Sequence, residues 1–177
     1  MRIATERLCL REFTLDDVPA LYDLESRPEV VRYQTYPPRT ETDARRVVEE
    51  IVLGQGRVPR KHVELAVMLR QIFIGRVGAW IEDGAARLWY AFLPALQGQG
   101  YATEAMRAFA DAIPARSITI ECDPRNVASW RLAERLGFAR ASLTERAYEC
   151  KGEWVDSLVY VKDGAARSAE GSCAAPE

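Results

Sequence analysis

Lysine occurs only three times in this 177-residue chain, at 61, 151 and 162, and His62 is the sole histidine. Basic charge is carried almost wholly by arginine, a bias that reads as genomic rather than functional. The net charge of −2 gives no electrostatic reason to bind nucleic acid. The four cysteines, Cys9, Cys122, Cys150 and Cys173, are scattered, without a C-x-x-C pair, so with one histidine a metal site is not expected. No run approaches the roughly 20 apolar residues of a membrane span, and no membrane partner is expected. Met1-Arg2-Ile3-Ala4-Thr5-Glu6 lacks the apolar core of a signal peptide. With free thiols, this points to the cytoplasm.

What is present is an ordinary globular composition, 48% hydrophobic and 28% charged. The length suits one domain, expected over residues 1–162, burying about two-thirds of its unfolded surface. Residues 163–177 are small, polar and aperiodic, and read as a flexible tail. Leu8 and Leu10 alternate with Cys9 and Arg11, a strand signal. Thr14 and Asp17 resemble a capping box, predicting a helix from Leu15 to about Glu25. Residues 29–40 look irregular, and a second helix is expected from about 40–43 to just before Gly54. Three β-type runs follow, His62–Arg70, Phe73–Glu82 and Ala85–Leu93, the last two joined by a turn at Asp83-Gly84. A helix over Thr103–Ala112, a strand over Ser117–Cys122 and a helix over Asn126–Leu136 closed by Gly137 come next. Two final strands, about Phe138–Glu149 and Trp154–Lys162, meet near Lys151-Gly152. The layout is α+β, a mixed sheet flanked by helices.

Gln97-Gly98-Gln99-Gly100-Tyr101-Ala102 connects a strand to a helix. A glycine-rich turn there lets backbone N–H groups converge, and the helix dipole adds partial positive charge. Three readings are open: a plain tight turn, a dinucleotide fingerprint, or another kind of pyrophosphate cradle. The dinucleotide fingerprint finds Glu121 or Asp123 near the place of its ribose-binding acid, but needs glycine or alanine where Thr103 stands. The turn also follows antiparallel hairpins rather than a first βα unit.

Gln97-x-x-Gly100-x-Ala102 resembles the Q/R-x-x-G-x-G/A signature of the GNAT superfamily of N-acetyltransferases. Trp89 to Pro94 and Tyr101-Ala102-Thr103-Glu104-Ala105 look like a run of its ribosomal-protein (Rim-type) subgroup. So do Asn126 to Phe138, with Ser129 and Arg131 in place, the closing Gly152-Glu153-Trp154-Val155-Asp156 with Tyr160, and the opening Thr5-Glu6-Arg7-Leu8-x-Leu10-Arg11. These ordered segments span roughly residues 3 to 162.

The resemblance implies a mostly antiparallel seven-stranded sheet flanked by about four helices and splayed between its fourth strand (85–93) and fifth (117–122). It implies acetyl-CoA as cofactor and direct attack on it by a primary amine, of a peptide N-terminus or a small molecule, in a ternary complex. Cofactor contacts are expected from Phe92, Leu93, Gln97, Gly98, Gln99, Gly100, Tyr101, Ala102, Thr103, Asn126, Ser129 and Arg131, with an amide near Leu93 steadying the thioester oxygen. Ser129 is the expected proton donor and Asn126 its catalytic companion, although serine and asparagine at a helix start also serve as caps. Tyr33, Tyr36, Tyr90, Tyr148, Trp154 and Asp156 are candidates for the acceptor site. Arg87 stands where family members often carry a glutamate base, and an arginine accepts no proton at working pH. Glu82, Asp83, Glu64 and His62 are the nearby alternatives. The missing base also motivates a rival reading, a non-catalytic acyl-CoA-binding module. Dimers are common in the family, so a homodimer fits the resemblance.

Overall fold

The computed structural model describes residues 1–164, so all but the first two residues of the expected tail, Cys173 among them, lie outside the described residues. Eight strands run in chain order: β1 (Arg2–Ala4), β2 (Leu8–Glu12), β3 (His62–Leu69), β4 (Ile72–Glu82), β5 (Ala85–Phe92), β6 (Ser117–Cys122), β7 (Ala139–Cys150) and β8 (Glu153–Asp163). They form one sheet in the order β1-β2-β3-β4-β5-β6-β8-β7. Every neighbouring pair is antiparallel except β5 and β6. The helices are α1 (Val18–Glu25), α2 (Pro28–Val31), α3 (Glu41–Gly54), α4 (Tyr101–Ala112) and α5 (Val127–Arg135). Among the described residues, no helix is long and apolar enough to cross a membrane.

The eighth strand is β1, which pairs Arg2–Ala4 with Cys9–Arg11. Three residues are too few to show alternation, so only the partner strand defines it. The fifth helix is α2, one turn opened by Pro28 inside the stretch expected to be irregular. Asp163 closes β8 opposite Ser117 instead of starting a tail. The helix expected from Leu15 begins as a 3-10 turn before α1, with the Asp17 carboxylate accepting from the Thr14 amide at 2.8 Å.

Strand alternation divides the core between two faces. Leu65 and Val67 meet Met106 and Phe109 of α4 on one side, while Ala66 meets Leu21 of α1 and Ala44 and Val48 of α3 on the other. Full burial of a side chain such as Phe109 contributes about 1.5–3 kcal/mol.

The α1 face also buries charge. Arg76 pairs with Glu64 and with Glu25, each at 2.7 Å, and all three are buried. Tyr36 donates its hydroxyl to Glu25, and Arg39 reaches the same carboxylate at 2.6 Å. Burial pushes the Glu64 carboxyl up, but Arg76 and the hydrogen bond from His62 more than offset this and hold it below its ordinary value of 4.5. Its ionised form therefore stabilises the fold above about pH 4.5, and that contribution is lost as pH falls through the depressed value.

Arg76→Ala removes the guanidinium shared by two buried carboxylates, leaving Glu25 only Arg39 and Tyr36 and Glu64 only His62, and is expected to destabilise the fold by about 3–5 kcal/mol. A urea melt at neutral pH measures this; an unchanged midpoint contradicts the assignment.

Candidate active site

Parallel pairing of β5 with β6 runs only from Ala85–Ser117 to Leu88–Ile120. Beyond that rung β5 continues to pair with β4 as far as Phe92, so its other edge opens onto a gap. The Leu93 amide donates to the Ile74 carbonyl at 2.9 Å. Backbone groups alternate sides along a strand, so the polar groups of Tyr90 and Phe92 point away from β4, into the gap. Of the amides near Leu93, that of Leu93 itself is ruled out for the thioester oxygen, because β4 already occupies it.

The chain leaves β5 through a 3-10 turn, Pro94–Leu96, and reaches the glycines. Gly98 and Gly100 have φ of 75° and 82°, a region that side-chain-bearing residues adopt at a cost. Gly100 is the N-cap of α4, which begins at Tyr101, two residues before the expected start. The amides of Tyr101, Ala102 and Thr103 have no acceptor within the helix. A methyl group added at Gly98 would meet nothing within 4 Å. This is an open cradle of donors at a helix N-terminus, suited to a diphosphate. Arg7 steadies it: Nη1 donates to the Gln99 carbonyl at 3.1 Å, Nε to Glu104 at 2.6 Å, and the guanidinium lies over the Tyr101 ring at 4.5 Å.

A cavity of about 610 Å³ runs from this cradle along the gap to the start of α5. Of the expected cofactor residues, it is lined by Phe92, Gln97, Gly98, Gly100, Tyr101, Ala102, Thr103, Asn126 and Ser129. Leu93, Gln99 and Arg131 do not border it; Arg131 instead lies over the Trp130 ring at 5.4 Å. Sequence reading missed Gln34, Leu96, Arg125 and Arg135, which do. Arg125 and Arg135 lie near the two ends of α5, exposed at the rim of the cavity.

Asn126 caps α5, its side-chain oxygen accepting from the Ser129 amide at 3.3 Å. Ser129 is buried, and the Tyr90 hydroxyl donates to its Oγ at 2.9 Å. Burial pushes the Tyr90 phenol up to about 12, so it stays protonated and keeps that bond. The Cys122 thiol beside Ser129 is likewise pushed up by burial.

A second cavity, about 80 Å³, adjoins the first and shares Tyr33, Gln34, Tyr90, Asn126 and Ser129 with it. Of the expected acceptor residues, Tyr33 and Tyr90 border the cavities, whereas Tyr36, Tyr148, Trp154 and Asp156 do not. Tyr36 turns inward to Glu25. Trp154 is exposed against Arg146, and Asp156 accepts from the Arg146 amide at 2.8 Å, stabilising an irregularity of β7. None of the alternative bases borders either cavity. Glu64 is paired with Arg76 and His62, Glu82 with Lys61, and Asp83 forms the hairpin turn.

Known proteins share this fold. The sequence profile of the acetyltransferase (GNAT) domain family matches residues 7–139. An uncharacterized N-acetyltransferase, YnaD of Bacillus subtilis, is 28% identical over 168 residues, 90% of this chain and 95% of its own. The crystal structure of a GNAT-family acetyltransferase from Bacillus anthracis superposes with a TM-score of 0.82 at 25% identity, over 92% of this chain and 98% of that one. RimL, a ribosomal L7/L12 alpha-N-protein acetyltransferase solved with coenzyme A, superposes at 0.84 with 22% identity, over 94% and 100%.

Gly98→Ala meets open space, so only its positive φ opposes the methyl group. A loss of about 1–2 kcal/mol is expected in a thermal melt, and a neutral result would mean that the turn does not need its left-handed backbone.

Proposed function

Because this chain belongs to the GNAT acetyltransferase family, we propose that it moves the acetyl group of acetyl-CoA to a primary amine by direct attack in a ternary complex. The observation that carries the reading is the continuous cavity joining the glycine cradle, the open edge of β5 and the Tyr90–Ser129 pair. RimL, bound to coenzyme A in its crystal, has the same fold.

The residues present fit the cofactor. Amides from Gly98 to Thr103 bind the diphosphate, and Arg135 adds positive charge on the facing wall. Tyr90 and Phe92 offer their edge groups to the amides of the pantetheine arm, extending the sheet by one short ladder. Bound acetyl-CoA supplies an activated acetyl group and a thiol leaving group. Tyr90, donating to Ser129 Oγ, leaves the serine's own proton free to turn toward the departing sulfur. Asn126 holds Ser129 at the first turn of α5. Holding both reactants in line supplies much of the acceleration.

The acceptor is an amine of a peptide N-terminus or of a small molecule. RimL acts on a protein N-terminus, which favours a peptide. The competing reading, an acyl-CoA-binding module without turnover, is motivated by Arg87 and by the expected bases lying off the cavities.

Thiol release from acetyl-CoA with a panel of peptides and amines separates the two: turnover is expected, and tight binding with no turnover would favour the module. Ser129→Ala is expected to lower the rate of thiol release about 10–100-fold while changing coenzyme A affinity little; an equal effect on both would make Ser129 a packing residue. Gly100→Trp is expected to abolish coenzyme A binding in calorimetry with the circular dichroism spectrum retained, and unchanged affinity would displace the site.

A further inference from the structure

The smaller cavity lies just where β5 and β6 have parted. Leu88 and Ile120 form the last rung of the parallel ladder, and the next residue on each strand, Trp89 and Glu121, borders the cavity. Leu88 belongs to the core beneath α4, so Trp89 projects to the opposite face of the sheet. On that face its partner across the β4 ladder is Gly78. A Cβ built on Gly78 would come within 2.5 Å of three indole atoms, Cε2, Nε1 and Cζ2. The ring therefore lies over the bare backbone of β4, in the place that a side chain would fill.

One more neighbour holds it there. The indole stacks on His62 of β3, with ring centroids 5.4 Å apart and planes 29° from parallel. His62 Nε2 is 3.0 Å from Glu64 Oε1, and Glu64 is buried against Arg76. Trp89 is thus tied through His62 to the buried charges under β3 and β4. Leaning toward β3, the ring leaves clear the side of its strand that faces β6, and the vacated space is the cavity. Its volume is about 80 Å³, roughly the share of three non-hydrogen atoms at the 30 Å³ or so that each water takes in the liquid. Tyr33 and Gln34 close it from the loop after α2, and Tyr90 and Ser129 border it on the side shared with the larger cavity.

We propose that Trp89 determines which acceptors fit the site, and that Gly78 is the positioning residue that lets it lie back. This rests on the acetyl-transfer reading above. The site takes a primary amine on a slim carbon, one bearing only hydrogen or a single methyl-sized group, and the rest of the acceptor stays outside. A branched or aromatic group on that carbon meets the indole. One methylene too many in such a pocket changes kcat/KM by about 10–200-fold. Gly78 enters because its side of Trp89 must stay empty. With a methyl group there, the staggered position left to the ring is the one over the gap, and the indole then fills the space meant for the amine. Size selection by Trp89 thus depends on a residue that touches no substrate.

The test compares the full chain with Gly78→Ala, Trp89→Ala and the double variant. Coenzyme A affinity is read by calorimetry, and thiol release is followed with peptides of one sequence that begin with glycine, alanine, valine, leucine or phenylalanine. Neither residue borders the larger cavity, so unchanged coenzyme A affinity is expected. Gly78→Ala is expected to lower kcat/KM for the glycine and alanine peptides about tenfold or more. Trp89→Ala is expected to raise kcat/KM for the bulkier peptides, relative to the glycine peptide, about tenfold or more. In the double variant the added methyl group meets no indole, so the Gly78→Ala loss is expected to vanish. Losses that simply add overturn the role of Gly78, an unchanged peptide preference in Trp89→Ala overturns that of Trp89, and both leave acetyl transfer standing. Should Gly78→Ala fail to fold, a folded double variant supports the contact and an unfolded one overturns it. If the parent acetylates none of the peptides, the indole N–H resonance of Trp89, identified by its loss in Trp89→Ala, is followed in the coenzyme A complex as they are added. A shift with the glycine peptide but not with the phenylalanine peptide supports the proposal, and the same response to both, or none, overturns it. Failure of the parent to bind coenzyme A overturns the acetyl-transfer reading and this proposal together.

Discussion

Parallel pairing between β5 and β6 ends after four rungs, at Leu88 and Ile120, while β5 goes on pairing with β4 and β6 with β8. Each strand is thus held on its outer side and released on its inner side. Backbone polar groups at Tyr90 and Phe92, which a continuous sheet would satisfy, face a gap instead. The same parting makes room for α5 to bring Ser129 to Tyr90, and lets Glu121 look across at Trp89 rather than at a paired neighbour. Two different surfaces then meet in one slot. On the α4 side lie bare amides at a helix N-terminus, suited to anions; on the α1 side lies an indole laid over a bare glycine, which sets the width of the slot.

The buried charges under β3 and β4 serve the same slot from a distance. Burying Arg76 with Glu25 and Glu64 is not in itself an efficient route to stability, since desolvation opposes the Coulomb gain. Its structural consequence is local. Glu25 also binds Tyr36 and Arg39, so the segment after α2 is held down on the α1 side. Lys151 reaches the Val31 carbonyl at 2.7 Å from the β7–β8 turn, and Tyr33 donates to the Arg125 carbonyl at 3.3 Å. Tyr33 and Gln34, which border both cavities, are therefore set by anchors at either end of the loop after α2 rather than by a helix. Tyr36, read from sequence as an acceptor residue, is one of those anchors.

How much of this was legible depended on how local each feature is. Capping by Thr14, the Asp83-Gly84 hairpin and the β-type runs of β3 to β5 are settled by neighbours a few residues away, and sequence reading found them. The three-residue β1 and the one-turn α2 are too short to carry a period, and both escaped. Among site residues, the glycine turn was readable because positive φ and helix dipole are properties of consecutive residues. Which amide near Leu93 faces the gap was not readable, since the side to which an amide points depends on the register with β4. Glu82, Asp83, Glu64 and His62 were near in sequence to the right strands, yet none borders a cavity.

Alone, the sequence determined the order of the longer elements, the α+β class and the glycine turn that opens α4, because each follows from short-range backbone preference and periodic burial. Tertiary structure decided where the chemistry converges. Tyr33, Gly78, Trp89 and Ser129 come from four separate elements, and His62, which holds Trp89, from a fifth. Their meeting depends on strand order and on where one ladder stops. Such long-range geometry is a property of the whole packed core, and no window of consecutive residues contains it.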